Sequence, residues 1–235
     1  MSALTAVDWQ RPHFVGKLLL KLPFVTQSSF VLQRPDSPDR QQFEKCVSEK
    51  FSESYGARIQ QFLPYLLGLM SQDNRISAVV GIRPAESGPL FLEQYLPYPI
   101  EQQIGLLYHD VVARHDIVEL GNLVSAWRGS SHMIFLYLAA MLGRTKREWM
   151  VFTSTREVEK LLAKLNYTPV VLGDADPEKL IGPREIWGSY YEHTPRVMLG
   201  HVPTAMAIMQ QDPYTREILA HFGPSLDVLA AGFPV

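Results

Sequence analysis

HDIVELGNLVS, residues 115–125, followed by AWRGSSH (126–132) and MIFLYLAAML (133–142), is the stretch on which the fold turns. The first part, rich in β-branched and leucine positions, reads as the most strand-like segment of the chain. Small residues around Gly129 then make a turn. The run from Met133 to Leu142, closed by Gly143, reads as a buried helix. Crossing a bilayer takes about 20 apolar residues, so this run is too short to span one. At a strand-to-helix turn the first helical N–H groups have no internal partner, and the helix dipole adds positive potential. Phosphate and pyrophosphate suit such a place. Gly129 permits close backbone approach, Ser130 and Ser131 can cap the helix, and Arg128 can add a charge-assisted contact. An ordinary capped β-α turn is the other reading of the same residues.

Working outward, Trp149–Ser154 (WMVFTS) predicts a strand, and Arg156–Leu165 a helix with Val158, Leu161, Leu162 and Leu165 on one side. Tyr167–Leu172 predicts another strand. Upstream, Ser28–Gln33 reads as a strand stopped by Arg34-Pro35. Ser37 and Asp39 offer caps for a helix whose stripe is Phe43, Cys46, Val47 and Phe51. Pro64–Met70 and Ile76–Ile82 make a hairpin across the turn residues Gln72-Asp73-Asn74. Leu90–Leu96 (LFLEQYL) reads as a short strand or extended segment, and Pro99 opens a helix with Ile104, Leu107 and Tyr108 on one face. Strands alternating with helices after a hairpin predict an α/β (α+β) fold, a mixed sheet covered by helices. Residues 1–27 read as an arm, 28–200 as the domain, and 201–235 as a tail packed on the same core or acting as a lid.

The bulk properties narrow the function. The 235 residues carry 22 basic and 24 acidic side chains, a formal net charge of -2. Phosphate-backbone binding relies on a basic excess, so nucleic acid is not the expected partner. The lone cysteine, Cys46, cannot close an internal disulfide and reads as a half-buried helix residue. The start lacks a basic segment followed by a long apolar one, which predicts a cytoplasmic protein. Peripheral membrane contact stays open. His109, His115 and His132 have no metal-ligand spacing with carboxylates or cysteines, so no metal is expected. No Gly-x-Ser-x-Gly elbow marks a serine hydrolase.

Several blocks in the same order resemble one family. Ile117–Ser125 is similar to the signature strand of the thermostable hemolysins, and Trp149–Thr155 to their next strand. Trp187-Gly188-Ser189-Tyr190-Tyr191, followed by Pro195, Val197 and Gly200, resembles their C-terminal block. Leu92–Leu96 with Ile100-Glu101 also fits. The family name implies lysis of red cells. The element order instead resembles GNAT-like enzymes, with the acyl-homoserine-lactone synthases and N-acyl amino acid synthases among them. That resemblance implies a mixed, mostly antiparallel sheet with a splayed central strand pair and helices on both faces. It also implies a donor, acyl-CoA or the phosphopantetheine arm of acyl carrier protein, held at the turn Val124, Ser125, Ala126, Trp127, Arg128, Gly129, Ser130 and Ser131. The usual Gln/Arg-x-x-Gly-x-Gly/Ala loop is reduced here to one glycine. Where the lactone synthases carry Glu-x-x-Arg, this chain has Glu119 and Asn122, so lactone formation is not expected.

Amide formation from a thioester needs a base for the amine and donors for the oxyanion. Glu119, set in an apolar strand, is the first candidate for the base or amine anchor, against a place on the solvent face or a pairing with Arg114 or Arg128. Glu93 is the second candidate, against an exposed position on an alternating strand. Asn122 can orient the acceptor or bond to backbone in a bulge beside Gly121. Thr153 and Ser154 can line the cleft or cap the next helix. Trp187, Tyr190 and Tyr191 can wall an acyl chain or acceptor, or simply pack. The expected function is acyl transfer to a small amine such as an amino acid. A membrane-active hemolysin and a GNAT-like module that binds acyl thioesters or acyl carrier protein without turnover are the alternatives.

Overall fold

A computed structural model describes residues 28–126 and 128–234, with Arg128 described by its backbone alone. Residues 1–27, read above as an arm, lie outside the described residues, as does Trp127 of the turn.

Seven strands form a single sheet in the order β1-β2-β3-β4-β5-β7-β6. They are β1 (Ser29–Gln33), β2 (Tyr65–Met70), β3 (Ile76–Pro84), β4 (Ile117–Ser125), β5 (Trp149–Ser154), β6 (Val170–Asp174) and β7 (Arg196–His201). Every neighbouring pair is antiparallel except β4 and β5. The helices are α1 (Arg40–Tyr55), α2 (Ile100–Tyr108), α3 (Arg128–Leu142), α4 (Arg156–Lys164), α5 (Val202–Gln211), α6 (Pro213–His221) and α7 (Gly223–Gly232).

Both faces of the sheet are buried, and period-two alternation decides which side chain faces which layer. From β4 and β5, Val118, Leu120, Met150 and Phe152 join the layer of α3 and α5–α7. Ile117, Val124, Trp149 and Val151 point the other way, into the layer built by α1, α2 and the loops. α1 docks there through Phe43, Val47 and Phe51, each buried. Full burial of such a side chain stabilises by about 1.5–3 kcal/mol. Cys46 is half-buried beside them, and burial pushes its thiol up.

The structure corrects several expectations. Phe91–Tyr95 forms a 3-10 turn, not a strand, because the Glu93 carboxylate takes the Leu90 N–H at 2.8 Å and closes the chain on itself. In α2, Ile100 and Ile104 face inward, whereas Leu107 and Tyr108 are exposed. β7, a strand that no sequence pattern above predicts, pairs with both β5 and β6. The tail after His201 is three helices. Each carries proline in its first turn, where the missing N–H costs nothing. They lie against α3 and β1, and Phe233 at their end is 2% exposed.

Candidate active site

β4 and β5 are in register over four residues only, from Ile117 opposite Trp149 to Leu120 opposite Phe152. Beyond that point β4 runs on to Ser125 and β5 to Ser154 without pairing, so the two strands splay. A bulge helps to turn β4 away. Val79 pairs with Val124, but Gly81 pairs with Gly121, so the register slips at Asn122 and Leu123. Asn122 sits at φ 50, a left-handed conformation that asparagine tolerates better than most residues. Its Oδ1 accepts the Leu63 N–H at 2.8 Å. A Cβ on Gly81 would meet that same oxygen, so glycine leaves the room that the bulge needs.

The splay opens a cleft of about 360 Å3. Glu119 to Leu123 form one wall, and Phe152, Thr153, Thr155 and Val158 the opposite one. Leu120, Phe135 and Phe152 belong to the α3 side of the sheet, while Phe51, Tyr55, Phe91, Trp187 and Tyr190 reach in from the α1 side. The opening therefore passes through the sheet. On the α1 side it is covered by residues 181–190, which backbone hydrogen bonds tie to the end of α1. Arg58 N–H donates to the Ile186 carbonyl at 2.6 Å, and Ser189 N–H to the Tyr55 carbonyl at 2.8 Å.

Glu119 is 3% exposed and borders the cleft. Its carboxylate accepts the Phe91 N–H at 3.2 Å and the Leu92 N–H at 2.9 Å. Arg83, its cross-strand partner, stands 3.6 Å away. Burial raises the carboxyl above its usual range, and the two backbone bonds and Arg83 only partly offset that. Glu119 and Arg83 are the only charged side chains that line the cleft among the described residues. The Arg83 guanidinium is a quarter exposed and donates one hydrogen bond, from Nη1 to the Pro89 carbonyl at 3.2 Å, which leaves donors for a ligand. Sequence reasoning missed it, because only the register of β3 on β4 sets it opposite Glu119.

The remaining candidates divide. Asn122, Thr153, Trp187 and Tyr190 line the cleft with Glu119, and Tyr190 Oη donates to Thr153 Oγ1 at 3.3 Å. Glu93 does not. Arg114 binds its carboxylate at 2.7 and 2.9 Å, and the N–H groups of Leu90 and Ile100 take up the rest. Burial alone would raise that carboxyl, but Arg114 and the backbone bonds hold it below its usual range. Arg114 also binds Glu101, so one of the two partners considered for Glu119 is engaged elsewhere. Ser154 is buried and donates to the Thr155 carbonyl, and Thr155 holds the N-cap position of α4 that was expected of Thr153 or Ser154. Tyr191 turns away to meet Tyr95 Oη at 2.5 Å. At the turn, Val124 packs into the α1 layer, and the hydroxyls of Ser125 and Ser131 bond each other at 2.5 Å. The turn begins at Val124, at the end of β4 and one residue past the last cleft-lining position of that strand, Leu123. No cluster of His, Cys, Asp and Glu that could hold a metal occurs among the described residues.

The model of the thermostable hemolysin family matches residues 33–206. No curated protein matches the chain. Among solved structures, FeeM, an N-acyl amino acid synthase from uncultured soil microbes, superposes with a TM-score of 0.51 at 10% identity, covering 80% of this chain and 98% of its own. The AHL synthase LasI does so with a TM-score of 0.50 at 14% identity, covering 74% of this chain and 91% of its own. At these identities the likeness is one of fold, and the fold is the GNAT-like one expected: a mixed, mostly antiparallel sheet with helices on both faces.

Proposed function

The chain belongs to the thermostable hemolysin family, and from the cleft between its splayed strands we propose that it transfers an acyl group from a thioester to the amine of a small acceptor. The observation that carries this reading is the placement of one buried carboxylate, Glu119, in the cleft that opens where β4 and β5 part. The likeness of the fold to an N-acyl amino acid synthase and to an AHL synthase supports it.

The chemistry follows from the residues. The acceptor nitrogen attacks the thioester carbonyl carbon, and a C–N bond forms. The Glu119 carboxylate takes the proton that the nitrogen gives up, a task suited to a base whose pKa lies above the ordinary carboxylate range. The C–S bond then breaks, and the departing thiolate takes the proton from Glu119, which restores the carboxylate. The products are an amide and a free thiol. Backbone N–H groups along the unpaired stretch of β4 are the donors for the oxyanion. Arg83 stands ready for an acceptor carboxylate, with the amine toward Glu119, which favours an amino acid. The donor, acyl-CoA or the phosphopantetheine arm of acyl carrier protein, lies with its phosphates at the start of α3, the turn from Val124 to Ser131.

Incubation of the purified protein with acyl-CoA and acyl carrier protein thioesters and a panel of amino acids and amines tests the proposal. Free thiol release coupled to an amide product identified by mass is the expected result. Absence of both with every pair would end it. The family name favours a second reading, direct lysis, although no helix among the described residues is long and apolar enough to cross a membrane. Leakage of liposomes by protein carrying Glu119→Gln, at the wild-type rate, would favour lysis over transfer.

A further inference from the structure

On the α1 side the cleft is walled by a row of aromatic rings, and the row begins at Glu119. Phe91 donates its N–H to that carboxylate, and its ring lines the same cleft. From Phe91 the rings run on without a break. The Phe91 centroid lies 5.4 Å from that of Trp187, Trp187 lies 5.6 Å from Tyr190, and Tyr190 lies 5.3 Å from Tyr55 at the end of α1. Separations of roughly 4.5–7 Å are those of rings in contact. Phe91, Trp187 and Tyr55 are only half-buried, so part of each ring is left uncovered. The Tyr190 hydroxyl is taken up by Thr153. Beyond Glu119 and Arg83, no charged side chain lines the cleft among the described residues.

Such a wall favours what it covers by the apolar area removed from water, and it penalises a buried charge. An acceptor with its amine at Glu119 and its carboxylate at Arg83 has its α-carbon held at the charged pair. On the α1 side its side chain then meets the row of rings. At roughly 10–15 Å3 for each water-sized group, the 360 Å3 cleft holds on the order of thirty groups. That is room for the roughly one dozen heavy atoms of a large amino acid beside the reacting end of the donor. We infer that the acceptor is an α-amino acid with a large apolar side chain, aromatic above all, and that Phe91 and Trp187 select it. The inference deepens the acyltransferase reading and rests on it. Two elements share the selection. Phe91 sits on the turn that Glu119 ties down, and Trp187 on the cover formed by residues 181–190.

Initial rates on the full chain, with octanoyl-CoA and octanoyl acyl carrier protein as donors, test this. The acceptors are glycine, alanine, leucine, phenylalanine, tryptophan, lysine and glutamate. With the donor held fixed, kcat/KM should rise with the apolar area of the acceptor side chain. Phenylalanine should stand about tenfold to a hundredfold above alanine, and lysine and glutamate below alanine. Trp187→Ala and Phe91→Ala should each lower the phenylalanine-to-alanine ratio by about threefold to tenfold, with the donor's KM unchanged. The ratio is taken within each variant, so any loss of folded protein cancels, and Phe91→Ala keeps the N–H that Glu119 accepts. Equal rates for alanine and phenylalanine, or a preference for a charged side chain, overturn the inference and leave acyl transfer standing. A ratio that neither variant changes overturns it too, and a donor KM that rises in its place assigns the rings to the acyl chain. No amide from any acceptor with either thioester overturns the acyltransferase reading itself.

Discussion

Glu119 shows how one residue serves two demands. Its carboxylate ties down the turn at Phe91 and Leu92, and burial keeps its proton affinity high. Glu119→Ala should leave two N–H groups without their partner and cost about 1–3 kcal/mol by chemical denaturation. Glu119→Gln keeps an acceptor oxygen and should fold well. The folded-state pKa is raised, so the stability linked to this group is complete at acid pH and is lost as pH rises through the raised value. Glu119→Gln should therefore flatten that part of the stability profile and be no less stable at neutral pH. The same substitution should lower kcat/KM by about a hundredfold or more and abolish an acid limb that lies above the usual carboxylate range. Arg83→Met removes the nearest cation, so in that variant the acid limb should move further up in pH. An unmoved limb in pH-rate profiles would exclude Glu119 as the base. Glu119 was legible as a candidate because a carboxylate amid apolar strand residues demands an explanation. Arg83 was not, since its significance comes from a cross-strand register that no local pattern encodes.

Among the elements, the strand–turn–helix unit from Ile117 to Leu142 could be read directly, because β-branched and leucine positions, small residues and a long apolar run follow one another. LFLEQYL misled because its apolar spacing mimics a strand while Glu93 closes it into a turn through its own side chain. The cover over the cleft depends on a feature equally hard to see in sequence. Gly188 holds φ 52 and ψ −129, and a Cβ there would collide with the Tyr55 carbonyl. Gly188→Ala should cost about 1–3 kcal/mol and raise amide hydrogen exchange across residues 181–190. Wild-type exchange in that variant would show that the cover is not pinned there. Asn122→Ala should also destabilise, by about 1–2 kcal/mol, through the unpaired Leu63 N–H and the strained φ. Asn122→Gly should recover the backbone part of that loss alone.

Across the whole molecule, a mixed sheet covered by helices could be anticipated from the order of strands and helices, and its cover on both faces from the family resemblance, but the C-terminal helices could not. Each of them is short, and their prolines read as loop punctuation unless the first helical turn is considered. Arg147 fastens this end of the chain. It is almost fully buried and binds Glu86 at 2.5 and 2.7 Å, the Pro234 carbonyl at 3.0 Å, and the His115 carbonyl. Arg147→Met should strip these partners at once and cost about 3 kcal/mol. Burial by itself would raise the Glu86 carboxyl, but Arg147 and a backbone bond bring it below its usual value. A lowered carboxylate contributes stability above its unfolded pKa and loses it as pH falls through the folded one. The penalty of Arg147→Met, read from melting temperatures, should therefore shrink in acid. A penalty that is the same at every pH would assign Arg147's role to its carbonyl contacts alone.

The passage through the sheet also bears on the order of events. On the proposed reading, a donor bound from one side would not obstruct an acceptor arriving from the other, so both would be present when the carbonyl is attacked. No covalent acyl-enzyme is then required. Double-reciprocal plots at several fixed acceptor concentrations should intersect, whereas a protein that unloaded its thiol before admitting the amine would give parallel lines.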